Sequence, residues 1–261
     1  MPLVAVNGQQ IFVEDSGGDG PPVILAHGFL MDHEMFAAQV AALRGTYRVL
    51  TWDERGFGRT TYDGKPFSYW DSAADCIGLL DHFGIERAVV GGMSQGGFVS
   101  LRVALVAPAR VRALVLLDTE AGVPATERAA GEHGMSEMWL AVGPVDELAA
   151  GVADLIIGDQ VAAAPWIAKW QAAPKESLRE PAACLHGRDD ITARLGEITC
   201  PALVVHGIDD AAIPMDRADV LAHGLVGCDG VVVVPGGHSA CMTHPAGVSS
   251  AIGAFLATLA H

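Results

Sequence analysis

Basic residues are scarce: lysine and arginine together number 16 against 31 aspartates and glutamates, a formal charge of −15 over 261 residues. A surface of that sign repels phosphate backbones and anionic lipid headgroups, so neither a nucleic-acid nor a membrane partner is expected. Strongly anionic substrates are disfavoured too, unless local cations such as Arg55 or Arg59 offset the field, and the charge is read as serving solubility. Long apolar runs are also missing. The most apolar stretch, Val111 to Leu117, is far short of the roughly 20 residues that cross a bilayer. No basic segment followed by an apolar run opens the chain, so no secretory signal is expected and the default location is cytoplasmic. Cysteine is sparse and unpatterned. Cys76, Cys184, Cys200, Cys228 and Cys241 make an odd set of 5 with no CxxC spacing, which points to neither a disulfide framework nor a zinc site. Disorder is disfavoured as well, since hydrophobic residues make up 51% and charged residues 18%.

What is there reads as alternating strands and helices. Leu3 to Val6 and Gln10 to Glu14 are strand-like and edge-placed. Pro22 to Ala26 is a continuous apolar run, the mark of a strand covered on both faces. A helix is expected over Glu34 to Leu43, a strand over Tyr47 to Trp52, and a helix over Asp71 to Phe83 closed by Gly84. A strand at Ala88 to Gly91, a helix at Phe98 to Val106 stopped by Pro108, and a buried strand at Val111 to Asp118 follow. This rhythm implies right-handed crossovers and a mostly parallel central sheet flanked by helices. It breaks from Ala121 to Arg194, where the text is alanine-rich and helix-like, with candidate helices at Met135 to Val142, Val145 to Ile157 and Pro165 to Ala172. Strands resume at Pro201 to His206 and Val231 to Val234, and a helix over Pro245 to Leu259 closes the chain. The expected organisation is one α/β core, residues 1–120 and 196–261, interrupted by a helical cap over 121–195.

Chemistry-bearing residues stand at strand ends. Gly92-Met93-Ser94-Gln95-Gly96 follows a strand and precedes a helix, the setting of a nucleophile elbow. The serine sits on a sharp turn, and its glycine neighbours leave room where side chains would collide with the adjoining strand and helix. A serine hydroxyl needs a base to act near neutral pH. Two later strands end in candidates for that role and its support: His206-Gly207-Ile208-Asp209-Asp210 and Pro235-Gly236-Gly237-His238. The order serine, acid, histidine is met, with His238 as base and either Asp209 or Asp210 as the acid. His27 and His206, bound into His-Gly turns, are read as backbone supports. His33, His82, His133, His186, His223, His244 and His261 lack a strand-end setting. Two backbone donors are needed for a developing oxyanion, and the N–H groups of Gln95 and Phe29 stand where they would be supplied.

His27-Gly28-Phe29, Asp53-Glu54-Arg55-Gly56-Phe57-Gly58, Gly92-Met93-Ser94-Gln95-Gly96-Gly97, His206-Gly207-Ile208-Asp209-Asp210 and Gly236-Gly237-His238 occur in the order and spacing of the α/β-hydrolase superfamily. The chain resembles that superfamily over nearly its whole length, and most resembles small bacterial esterases and 3-oxoadipate enol-lactonases. It departs from their motif at Gln95, where methionine is usual. The resemblance implies an α/β-hydrolase fold, no metal and no organic cofactor. It selects Asp210, three residues past the glycine of the His-Gly pair, as the acid, and gives the Asp53 to Gly58 loop a structural role. It implies a serine hydrolase acting on a small-molecule ester or lactone. Carbon–carbon bond hydrolase or perhydrolase activity on the same triad, and a receptor that binds without turnover, are the alternatives. Epoxide hydrolases and haloalkane dehalogenases place aspartate at the elbow, which Ser94 disfavours. In the cap, Met135, Trp139, Trp166 and Trp170 are candidate substrate-binding residues. The competing role for each is packing the cap onto the core.

Overall fold

The computed structural model describes residues 3–259. Its strands are β1 (Leu3–Val6), β2 (Gln9–Asp15), β3 (Pro22–Ala26), β4 (Arg48–Trp52), β5 (Ala88–Met93), β6 (Val111–Leu117), β7 (Pro201–Gly207) and β8 (Gly227–Val234). They form one sheet in the order β1-β2-β4-β3-β5-β6-β7-β8. β1 and β2 pair antiparallel, as do β2 and β4, and every pairing from β4 through β3 to β8 is parallel. The continuous apolar runs earn their place here: β5 is buried along its whole length, and β6 along all of it but Arg112. Apolar clusters cover both faces of the sheet, one built on Ile24, Leu50, Val90 and Leu116, the other on Leu25, Val49, Val89 and Val115. The fold is that of an α/β-hydrolase.

The helices are α1 (Ala37–Leu43), α2 (Tyr69–His82), α3 (Gln95–Val106), α4 (Thr126–Val142), α5 (Asp146–Ile156), α6 (Gln160–Ala172), α7 (Arg179–His186), α8 (Met215–Gly224), α9 (Ala240–Thr243) and α10 (Pro245–Thr258). Between β6 and β7 the described residues contain four of these helices and no strand. α4 starts at Thr126, nine residues before the expected Met135. Its first half, Thr-Glu-Arg-Ala-Ala-Gly-Glu-His-Gly, is largely exposed and carries no apolar period to betray it. α6 starts at Gln160, where the Asp159 carboxylate accepts the Ala162 N–H at 2.8 Å, and Pro165 lies inside the helix rather than at its start. α7 and α8 were not anticipated: α8 buries only Ala218, Leu221 and Ala222. His261 lies outside the described residues. Among the described residues no helix is long and apolar enough to cross a membrane.

Candidate active site

β5 runs to Met93, and Ser94 turns the chain straight into α3. Ser94 has φ +52° and ψ −114°, a left-handed backbone held by an N–H bond to the Leu117 carbonyl at 2.9 Å. The Thr119 hydroxyl, at 2.7 Å, and the Gly97 N–H, at 2.9 Å, both donate to the Ser94 carbonyl. Such a conformation costs about 1–3 kcal/mol and persists only where its surroundings over-determine it. The flanking glycines are obligatory at this turn. A Cβ on Gly96 would stand 1.9 Å from the Ala26 carbonyl oxygen, and one on Gly92 2.5 Å from that same atom.

The base and acid candidates come from the next two loops of the sheet. The Asp209 N–H donates to the Gly236 carbonyl at 3.0 Å and the Ile208 N–H to the Val234 carbonyl at 2.9 Å, so the two loops are stitched together. A Cβ on Gly207 would meet the Gly236 and Gly237 carbonyls at 2.5 Å, which is how closely they approach. Across this junction His238 Nδ1 lies 2.8 Å from Asp210 Oδ2. The other Asp210 oxygen accepts the N–H groups of Ala212 and Ile213, each at 2.9 Å. Burial pushes the Asp210 carboxyl up, but the His238 ring, the Ile213 N–H and His206 outweigh it and hold it below the ordinary range. Asp209 is exposed and points its side chain at none of these groups.

Ser94 and His238 face one cavity of about 540 Å³ between the core and the helical insertion. Phe29, Phe98, Met135, Val152, Ile156 and Leu185 supply apolar wall, and Arg128, Glu132 and Arg188 a polar one. Phe29 follows β3 at the His-Gly turn, and Gln95 is the first residue of α3. Among the described residues no acceptor meets the backbone N–H of Phe29 or of Gln95. The Gln95 side chain turns away from the cavity. It accepts from the Tyr69 hydroxyl at 3.2 Å and donates to Glu54 at 3.3 Å, inside a buried pocket that pushes the Glu54 carboxyl well up. This polar lining is the counterpart of the departure from methionine at position 95.

The cap candidates divide. Met135 lines the Ser94 cavity. Trp139, Trp166 and Trp170 instead line a second cavity of about 410 Å³, shared with Asp32, Glu34, Arg59 and Lys169, on the far side of Leu30. All three tryptophans are buried, and the Trp139 and Trp170 rings pack edge to face with centroids 5.9 Å apart. The contact between the Trp139 and Trp170 rings is a packing one, and sequence offered no means of telling one wall from the other.

His27 and His206 serve the loops. His27 takes the Glu54 N–H on Nε2 at 2.9 Å and, through Nδ1, donates to the Gly28 carbonyl at 2.8 Å; burial pulls its ring below the ordinary imidazole value. His206 Nε2 lies 2.9 Å from the Ile213 carbonyl, closing the turn that carries Asp210. Asp118, at the end of β6, accepts the Gly207 N–H at 2.7 Å, and burial pushes its carboxyl well up. Among the described residues two clusters bring ligand atoms within 4.8 Å of one another, Asp32-His33-Asp53 and Asp118-His206-Asp210. In the first, the Asp53 oxygens already accept the His33 N–H and Nδ1 and the Arg59 N–H, at 2.7–2.8 Å. In the second, Asp210 is committed to His238. In that second cluster Asp118 Oδ2 and His206 Nδ1 are buried without a hydrogen-bond partner among the described residues.

Comparison with known proteins agrees with this fold. A family model described as alpha/beta hydrolase fold matches residues 21–245. A protein of Azorhizobium caulinodans that carries the name of a carbamate hydrolase, RutD, is 29% identical over 220 residues, 80% of each chain. A thermophilic esterase of Thermogutta terrifontis, solved with malate bound, superposes with a TM-score of 0.88 at 29% identity, covering 99% of this chain and 97% of its own. An enol-lactonase of Burkholderia xenovorans superposes with a TM-score of 0.88 at 25% identity, over 98% and 100% of the two chains.

Proposed function

We propose, from the premise that this chain belongs to the alpha/beta hydrolase fold family and is a hydrolase, that it cleaves a small carboxylic ester or lactone through Ser94, His238 and Asp210. The observation that carries this reading is the 2.8 Å contact of His238 Nδ1 with Asp210, made by a histidine that faces the same cavity as Ser94.

Asp210 accepts at Nδ1, which leaves Nε2 of the neutral ring as the basic nitrogen. Ser94 Oγ attacks the substrate carbonyl carbon while Nε2 takes its proton. The carbonyl π electrons move to oxygen, and the N–H groups of Phe29 and Gln95 receive that oxyanion. Collapse of the tetrahedral adduct breaks the bond to the leaving alkoxide, which takes the proton from His238. Water, deprotonated by the same nitrogen, then releases the acyl group from Ser94. Asp210 remains charged throughout and stabilises the imidazolium. The apolar wall of Phe98, Met135, Val152, Ile156 and Leu185 suits an apolar acyl group. A small molecule is the whole of the substrate; neither nucleic acid nor membrane takes part.

The test is a fluorophosphonate label followed by peptide mapping, with hydrolysis of short p-nitrophenyl esters, a lactone and a carbamate measured beside it. Label on the Ser94 peptide is expected. Ser94→Ala is expected to lose the label and at least about a thousandfold in ester turnover. A label on another residue, or turnover that survives Ser94→Ala, overturns the assignment. The carbamate arm answers to the relative named as a carbamate hydrolase: a carbamate turned over faster than every ester would move the substrate class without moving the nucleophile.

A further inference from the structure

One oxyanion donor in the reading above, the Phe29 N–H, rides on a loop whose shape depends on the helical insertion. Leu30, the next residue, has φ +64°, a left-handed conformation that a residue with a Cβ leaves unless something holds it. Inside the loop the Met31 N–H reaches the Gly28 carbonyl at 3.0 Å. The outer tethers come from α6. The Trp170 indole N–H donates to the Leu30 carbonyl at 2.6 Å, and Trp170 is only 5% exposed. One residue earlier, Lys169 Nζ reaches Asp32 at 2.6 Å and Glu34 at 2.8 Å while lying 4.3 Å from the centroid of the Trp166 ring. Two consecutive residues of one helix thus grip the loop at positions 30, 32 and 34. Leu30 itself lies at the wall between the Ser94 cavity and the second cavity that Trp170 lines.

We propose that Trp170 is a positioning residue: its indole N–H holds the strained Leu30 peptide and thereby keeps the Phe29 N–H aimed at the oxyanion, so that seating α6 on the core and completing the oxyanion hole are one event. The inference rests on the serine-hydrolase reading. Its physics is short-range. Releasing the Leu30 carbonyl lets the Leu30 backbone relax out of the left-handed region and turns the Leu30–Met31 peptide, whose N–H holds the Gly28 carbonyl at 3.0 Å; that carbonyl belongs to the same peptide unit as the Phe29 N–H, so the donor moves with it. A displacement of about 1 Å at a donor aimed at developing charge costs up to about a hundredfold in rate. Because the ground-state carbonyl makes far less of that donor than the oxyanion does, the loss falls on kcat and spares KM.

The experiment compares wild type, Trp170→Phe and the double variant Trp170→Phe with Leu30→Gly, using p-nitrophenyl butyrate and a boronic acid that forms a tetrahedral adduct on the nucleophile. Trp170→Phe removes the donor and keeps an aromatic ring. It is expected to lose about 10- to 100-fold in kcat with KM within about twofold, and to bind the boronic acid more weakly by a similar factor. Leu30→Gly in that background is expected to recover most of kcat, since glycine occupies positive φ without penalty. Lys169→Met is the second probe, at a side chain 38% exposed, and is expected to lower kcat in the same sense by a smaller factor. A folded Trp170→Phe with wild-type kcat, a kcat loss without the matching loss of boronic-acid affinity, or no recovery in the double variant each overturns the proposal. Should Trp170→Phe not fold, an unchanged kcat in Lys169→Met overturns it. Wild-type turnover with unaltered variants refutes this inference alone, whereas a wild type whose Ser94 takes no label refutes the serine reading beneath it.

Discussion

Replacing Asp210 by asparagine changes one atom, and the structure says which way the new side chain turns. In the native protein Oδ1 accepts two backbone N–H groups, from Ala212 and Ile213, each at 2.9 Å, and Oδ2 faces His238 Nδ1 at 2.8 Å. An asparagine amide has one oxygen and one NH₂. The two backbone donors claim the oxygen, because presenting NH₂ to them would leave three buried donors facing one another. The NH₂ is then aimed at Nδ1, which must become an acceptor. The proton of the neutral ring moves to Nε2, the nitrogen that has to take the Ser94 proton, and the base is lost as a tautomer rather than displaced. Loss of the correct tautomer costs about 10⁴-fold in kcat, or about 5.4 kcal/mol of transition-state stabilisation. Asp209→Asn is the control: that side chain is exposed and touches neither partner, so a change below about twofold is expected. The assay is initial-rate hydrolysis of p-nitrophenyl butyrate, with circular dichroism to show both variants folded. Asp210→Asn retaining a tenth of wild-type kcat, or Asp209→Asn losing more than Asp210→Asn, would refute the reasoning.

Other expectations follow from the same geometry. Burial, with the nearby charge of Asp75, pushes the Glu54 carboxyl well up, so the folded protein keeps a proton that the unfolded chain releases above about pH 4.3. The folded state then binds more protons than the unfolded one. Stability falls as pH rises through that window, by up to about 1.4 kcal/mol per pH unit, until the folded carboxyl ionises. Glu54→Gln removes this slope, and denaturant titrations from pH 5 to 8 should show its stability gaining on wild type as pH rises; a constant difference would sink the idea. Met135→Trp adds bulk to the Ser94 cavity and should lower kcat/KM for octanoate esters at least about tenfold relative to acetate. Trp166→Leu, on the second cavity, should leave that ratio within about twofold, and the reverse pattern would place the acyl group beyond Leu30.

The core was legible because burial on both faces leaves a plain trace. β5 reads as an unbroken apolar run and β6 as one broken only by Arg112, and Ser94 stands where β5 stops. The elbow was legible through glycine, since the space at Gly92 and Gly96 is already filled by backbone. The insertion was much less so. Its first helix is solvent-facing along half its length, and solvent imposes no period. The three tryptophans announced themselves as apolar and large, but a sequence does not say which of two adjoining walls a ring will face. Nor did it say that Gln95 would turn inward to Tyr69 and a buried Glu54 carboxyl. That preference depends on two groups 26 and 41 positions away along the chain, which only the fold brings together.

The insertion touches three of the loops that carry a proposed catalytic group. α6 reaches the Phe29 loop through Trp170 and Lys169. At the end of α5, the Ile156 carbonyl accepts from the Ser239 hydroxyl, next to His238. From α4, Arg128 donates at 3.1 Å to the carbonyl of Ala212, whose N–H in turn serves Asp210. The last of these ties leads to Glu120, a carboxylate with 1% exposure that accepts Arg128 at 2.5 Å, Arg217 at 2.7 Å and Arg188 at 3.3 Å. A buried carboxylate left with fewer partners is expensive, so the α4 arginine, the arginine after α7 and the α8 arginine of the core are bound to one another's positions. A helical insertion that served only to select substrate would need to meet the cavity and nothing else. One that grips the oxyanion loop, the histidine loop and the acid loop separately must be seated before those three groups can converge. Substitutions along its contacts should then appear in kcat as well as in KM.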